Sequence, residues 1–204
     1  MSGTVDRRIR RTKKAIRDAL VSLIEEKGFD ALSVKDITTR ANINRGTFYL
    51  HYKDKYDLLD QTLEEVTQDI ENILLEIASL SGIDVVNDHL PLAIVIKLFE
   101  YFKANARLMQ AILATKGNNA LQTQIKKTMW HHVFEKNSAT LIKKEKLLVP
   151  AEYLISYIAA AHFGVVQEWL DRGCRETPEE MARILTSITF RGPLFAAGLS
   201  SHSL

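Results

Sequence analysis

Cysteine is nearly absent: Cys174 stands alone, so no disulfide can staple the chain. The 4 prolines and 9 glycines are too few among 204 residues for a low-complexity linker or a collagen-like repeat. No apolar run reaches the ~20 residues needed to cross a bilayer. The longest, residues 154–166, is interrupted by Ser156, Tyr157 and His162 and reads as a buried helix, so no membrane partner is expected. The N-terminus carries charge rather than a signal-type apolar stretch, and with a lone thiol the expected compartment is a reducing cytoplasm. Also missing are a nucleophile–base pair, a cluster of acids, a glycine-rich phosphate loop and a metal box at useful spacing. His131 and His132 are adjacent, and adjacent helical residues point about 100° apart, which does not suit two ligands of one metal. The expectation is a non-enzyme with no cofactor and no metal.

What is present is an ordinary folding composition, 46% hydrophobic and 25% charged, with the charge unevenly placed. Residues 1–53 hold 12 Lys or Arg against 6 Asp or Glu, a net of +6, while the rest of the chain holds 15 against 19, a net of −4. A basic N-terminal unit suits a polyanion, although Arg7, Arg8, Arg10, Arg11, Lys13 and Lys14 alone would serve equally as a solvated helix face.

The pattern is helical throughout, with no persistent strand-like alternation, so the expected class is all-α with about nine helices. Ile16, Ala19, Leu20, Leu23 and Ile24 make one amphipathic stripe, closed by Gly28 as a left-handed cap with Phe29 packing back. Ser33, with Asp36 three residues on, opens a short second helix whose inner face is Val34, Ile37 and Ala41. Asn42, a residue type that tolerates positive φ, marks a tight turn. Asn44 caps a third helix from Arg45 to about His51, held inward by Phe48 and Tyr52. Asp54 caps a long fourth helix carrying Leu59, Leu63, Val66, Ile70, Ile73, Ile77 and Leu80, roughly 40 Å long at 1.5 Å per residue. Further helical patterns run at about 91–103, 105–115, 119–143, 151–172 and 178–198. Thr177, Pro178 and Glu180 open the last, and Gly192 and Pro193 interrupt it.

Two short helices joined by a tight turn behind a basic helix are the parts of a helix-turn-helix, whose second helix enters the DNA major groove. Its outward residues have the chemistry for such docking, with Arg45 as a fork for guanine, Gly46 for close backbone approach, Thr47 for a thymine methyl and Tyr49 for phosphate. The run GFDALSVKDITTRANINRGTFYLHYKDKYDLL from Gly28 resembles the DNA-binding signature of the tetracycline-repressor (TetR) family. By position the resemblance implies base readout by Arg45 and Thr47 and backbone contacts from Ser33, Tyr49, His51 and Lys55. Three positions depart from the family pattern: Asn42 for the turn glycine, Thr38 for a small alanine, and Leu50 for a polar or aromatic residue, where a thymine methyl could be met. Trp169, Leu170, Gly173 and the TPEEMA run from Thr177 resemble a subgroup that includes an activator of dihydroxyacetone-kinase genes working with a coactivator protein.

The expected organisation is a helix-turn-helix domain at 1–53 and a helical dimerisation and effector-sensing domain at 54–204, linked by the helix at 54–81. A single two-turn recognition helix reads too few base pairs, so a homodimer on a palindromic double-stranded operator is expected. The interface candidates are Ile155, Ile158, Ala159, His162, Phe163, Val166, Ile184 and Ile188, with Ala160, Ala161 and Gly164 allowing close approach. Phe99, Tyr101, Phe102, Met109, Trp130, His131 and Phe134 are candidates for an effector pocket, though aromatic stripes at helical spacing also build cores. The expected function is a repressor released by a small-molecule effector. The alternatives are an activator working with a coactivator protein, and a helical adaptor that binds no DNA, which leaves the basic GTFY helix unexplained.

Overall fold

The computed structural model describes residues 2–80, 90–115, 123, 126, 127, 130 and 147–198. Nine helices and no strand are found among the described residues: α1 Ser2–Lys27, α2 Val34–Arg40, α3 Arg45–Tyr49, α4 Lys55–Leu80, α5 Leu90–Ala104, α6 Ala106–Leu113, α7 Ala151–Asp171, α8 Pro178–Arg191 and α9 Pro193–Ala196. Of the helix expected over 119–143, only residues 123, 126, 127 and 130 are described, and each is helical. The chain divides into two compact units, one holding Met1–Val66 with Ala111–Asn118 and the other Thr67–Gln110 with Asn119–Leu204.

In the first unit the apolar stripe of α1 is the floor: Ile16, Leu20 and Leu23 are buried, and Ile37 of α2, Phe48 of α3 and Leu58 of α4 are fully buried with them. The local stops and starts follow from individual residues. Gly28 takes φ +75° and Asn42 φ +53°, the two left-handed positions that end α1 and turn the chain after α2. Thr38, larger than the expected alanine, is buried but places its hydroxyl on the Lys35 carbonyl at 3.1 Å, so no polar group is orphaned. The Asn44 side chain accepts from the Thr47 N–H at 2.7 Å and starts α3, and Asp54 accepts from the Tyr56 and Asp57 N–H groups, both at 2.8 Å, to start α4. Helices α1 and α2 are clamped by charge as well: Arg40 spans both carboxylate oxygens of Glu26 at 2.6 and 2.7 Å, and Lys27 reaches Asp36 at 3.0 Å. Arg17 pairs with Glu65 at 2.9 Å, tying α1 to α4.

The second unit is organised around Trp169. Its ring is buried, meets Phe99 of α5 edge-on at 5.0 Å, and its indole N–H donates to the Glu176 carbonyl at 3.2 Å across the turn between α7 and α8. That turn closes helix α7 with Gly173 at φ +76° and Cys174 at φ +52°. Cys174 is half-buried, and burial pushes its thiol above the ordinary range, as befits a structural rather than reactive residue. Thr177 and Glu180 form a reciprocal capping box at the start of α8, with Pro178 at the first helical position. Gly192, at φ +86°, separates α8 from the short α9 that Pro193 opens.

Ser33 and Asp36 also form a complete capping box, and the Asp36 carboxylate accepts from the Ser33 hydroxyl and N–H and pairs with Lys27. The Ser33 bonds, then Lys27, hold its pKa well below the usual carboxylate range. A folded pKa below the unfolded one contributes stability above the unfolded value, near 3.9, that is lost as pH falls below it. The melting temperature of Asp36→Asn should therefore lie below that of the wild type at neutral pH, with the gap narrowing as pH drops below about 4. Thermal unfolding followed by circular dichroism across that range checks it, and a pH-independent gap would remove Asp36 from the acid response.

Candidate nucleic-acid interface

On α3, Phe48 points inward and is fully buried, in ring contact with Tyr49 at 5.5 Å and Tyr52 at 5.6 Å. Anchoring Phe48 sets the rotation of the helix and leaves Arg45, Gly46, Tyr49 and Leu50 exposed. Thr47 is half-buried, and its hydroxyl donates to the Asn44 side chain at 2.9 Å. The expected base-reading set thus shares one small surface, with Tyr49 56% exposed at its edge.

The expected backbone-gripping residues divide. Ser33 is exposed at the start of α2, but its hydroxyl is donated to Asp36 at 2.6 Å, so contact with a phosphate requires that bond to be exchanged. His51 is half-buried with its ring tilted against Tyr52 at 6.2 Å. Lys55 differs from the expectation. Its ammonium has three donors, and the carbonyls of Phe29, Asp30 and Leu32 take them at 3.1, 2.9 and 2.9 Å, with the Phe29 and Tyr56 rings 5.0 and 5.3 Å away. Lys55 thereby secures the turn between α1 and α2 to the start of α4 and has no donor to spare for phosphate. The neighbouring Lys53 is the exposed cation of the pair, a distinction invisible in a sequence where two lysines flank Asp54.

Cations also continue along α1. Residues 7–15 include no buried position, and Arg7, Arg10, Arg11 and Lys14 recur at i, i+3, i+4 and i+7 on the side of the helix opposite the Ile16 and Leu20 stripe. Lys14 pairs with Asp18 at 2.6 Å, and Lys13 lies 5.8 Å over the Tyr52 ring just behind α3.

Of the pocket and interface candidates, two need correcting, Ile155 and Ala159. Phe99 and Met109 are buried at 1% and 3% exposure, Phe99 against Trp169. Tyr101 and Phe102 are half-buried, with the Tyr101 hydroxyl donating to Asp69 of α4 at 3.0 Å. Trp130 borders a cavity of about 450 Å³ with residues 147–152, and His131 and Phe134 lie outside the described residues. On α7, Ile155 and Ala159 face the protomer's own core, and Ile158, His162, Phe163 and Val166 are half-buried. His162 is hydrogen-bonded to Thr189 of α8 at 2.9 Å, and burial lowers its pKa. The exposed side of α7 instead carries Tyr153, Tyr157, Ala160 and Gly164, while Ile184 and Phe190 are exposed on α8, where Ile188 is half-buried. Among the described residues no cluster suited to a metal occurs and no helix is long and apolar enough to cross a membrane.

Comparison with known proteins places this geometry. Residues 16–62 match the model for bacterial regulatory proteins of the tetR family, and residues 91–191 match a transcriptional regulator C-terminal region. An HTH-type transcriptional regulator of Bacillus subtilis, YxbF, is 27% identical over 180 residues, 88% of this chain, which spans 44% of that relative's length. A TetR regulator from Streptococcus agalactiae superposes with a TM-score of 0.61 at 21% identity, covering 92% of this chain and 98% of that one. The dihydroxyacetone kinase operon activator DhaS does so at 0.56 and 21%, covering 88% and 94%.

The Lys55 geometry makes a direct prediction. Lys55→Ala leaves three carbonyls to find other donors and should destabilise the protein by about 1–3 kcal/mol. Exposed Arg45→Ala and Lys53→Ala should stay within about 0.5 kcal/mol of wild type. Urea unfolding of the three variants distinguishes a buttress from a surface charge.

Proposed function

The chain belongs to the TetR family of bacterial transcriptional regulators, and we propose that it acts as a homodimeric repressor that holds a palindromic duplex operator and releases it when an effector binds. The observation that carries this reading is the set on α3, the exposed Arg45, Gly46 and Tyr49 with the half-buried Thr47, mounted on the buried Phe48 and flanked by cations. In it Arg45 and Thr47 read base edges, and Tyr49, His51, Ser33 and Lys53 grip phosphates, with Lys53 in the role expected of Lys55. The adaptor alternative loses its ground to the family match. The likeness to DhaS, at 21% identity, is one of fold and does not argue for activation.

For the dimer, the small and aromatic face of α7, Tyr153, Tyr157, Ala160 and Gly164, is the better candidate, because Ile155 and Ala159 are already used within the protomer. Two such copies place two recognition helices on successive major grooves, about 34–36 Å apart. An effector that prefers a different separation lowers DNA affinity by its differential binding free energy. Helix α4, which starts in the first unit and ends in the second, is the proposed lever, and its Asp69 link to Tyr101 gives the second unit a hold on it.

Two measurements test this. Duplex binding should weaken steeply with salt, and Arg7→Gln with Arg11→Gln should flatten the slope of log K against log [salt] by about 0.9 for each phosphate that is no longer neutralised. Arg45→Ala should instead cost about 1–3 kcal/mol at particular base pairs and leave the slope less affected. A protein that binds no duplex at low salt is not an operator-binding regulator. Light scattering should report a dimer, and Tyr157→Glu combined with Phe190→Glu a monomer. A monomeric wild type at micromolar concentration would overturn the dimer.

A further inference from the structure

Helical geometry extends through Leu50, whose φ of −69° and ψ of −21° keep it on the α3 spiral. With residues 100° apart and Phe48 defining the inward direction, the point of the helix farthest from the core falls between Gly46 and Leu50, one turn apart. Gly46 contributes no side chain, and a Cβ there would sit 3.3 Å from the Asn44 Oδ1 atom that caps the helix, so this position stays bare. Leu50 is 80% exposed. Side chains on a helix lean toward its N-terminus, so the Leu50 isobutyl group leans over the space that Gly46 leaves open.

A single exposed leucine is ordinary on a protein surface. This one occupies the crest of the recognition helix, between Arg45, Tyr49 and a Thr47 whose hydroxyl is spent on Asn44. The apolar feature that the major groove offers such a side chain is the C5 methyl of thymine. Resting on the DNA-binding reading above, we infer that Leu50 is a specificity-determining residue that seats a thymine methyl against its isobutyl group, over bare Gly46, at one position of each operator half-site. Polar neighbours then supply hydrogen bonds and charge, and Leu50 supplies an apolar contact that favours thymine over cytosine through the C5 methyl.

The experiment uses the full chain. Wild-type protein selects duplexes from a random-sequence pool, and the enriched duplex is resynthesised with each thymine replaced in turn by deoxyuridine, which lacks only the methyl. At one thymine per half-site the replacement should weaken wild-type binding about fourfold, the ratio that ~0.8 kcal/mol for one buried methyl-sized group represents. Leu50→Ala should bind the thymine and deoxyuridine duplexes within about twofold of one another while keeping the wild-type melting temperature, since an exposed side chain contributes little to the core. Three results overturn the inference: a wild type indifferent to every replacement, a Leu50→Ala variant with undiminished methyl sensitivity, or an enriched half-site without thymine. A pool from which the wild type enriches nothing overturns the DNA-binding reading itself, and is recognised before any deoxyuridine is introduced.

Discussion

A helix of five residues has no stability of its own: nucleation is costly, and α3 is too short to recover it from backbone hydrogen bonds. It exists because Phe48 is fully buried, as are Leu20 of α1, Ile37 of α2 and Leu58 of α4, and the surface α3 presents depends on that burial. The same anchor that stabilises α3 fixes its rotation, so Arg45, Tyr49 and Leu50 are exposed as a consequence of where Phe48 goes. Changing the anchor would alter the surface presented to DNA without touching any residue on it.

The second constraint is the Lys55 ammonium. A turn such as the one between α1 and α2 exposes carbonyls that no helix satisfies, and here three of them converge on one cation instead of on water. A lysine ammonium is suited to this because it offers three donors from one atom, and the rings of Phe29 and Tyr56 beside it stabilise the charge. Whatever moves the start of α4 therefore moves the Phe29–Leu32 turn and, through the Ser33 cap, the start of α2.

Local chemistry was legible in the sequence wherever a residue type has one good use. The left-handed Gly28 and Asn42, the Ser33–Asp36 and Thr177–Glu180 boxes, the Asn44 cap and the Gly192–Pro193 break all stand where their side chains or backbone freedom put them. What was not legible depends on a third dimension. Two lysines two positions apart are equivalent in composition, and only the position of the Phe29–Leu32 carbonyls decides that Lys55 turns inward while Lys53 stays exposed. Helix α7 is apolar on more than one side, so periodicity alone could not tell which side meets its own core. Trp169 and Leu170 settle it, drawing Ile155 and Ala159 inward and leaving the tyrosines outside. For the same reason only the structure shows that Phe99 is buried edge-on against Trp169.

The residues that resemble the activator subgroup each have a physical reason to be present. Trp169 fills the core and donates to Glu176, Gly173 takes a left-handed φ, and Thr177 and Glu180 cap α8. None of these roles involves a coactivator, and a repressor with the same α7–α8 corner needs the same residues. A resemblance carried by fold-building residues is evidence about the fold. The sign of regulation is decided elsewhere: a dimer that occupies an operator blocks polymerase or recruits it according to where that operator lies and what docks on the exposed C-terminal surface. Residues that discriminate between those outcomes must be ones that neither the fold nor the proposed dimer face already requires.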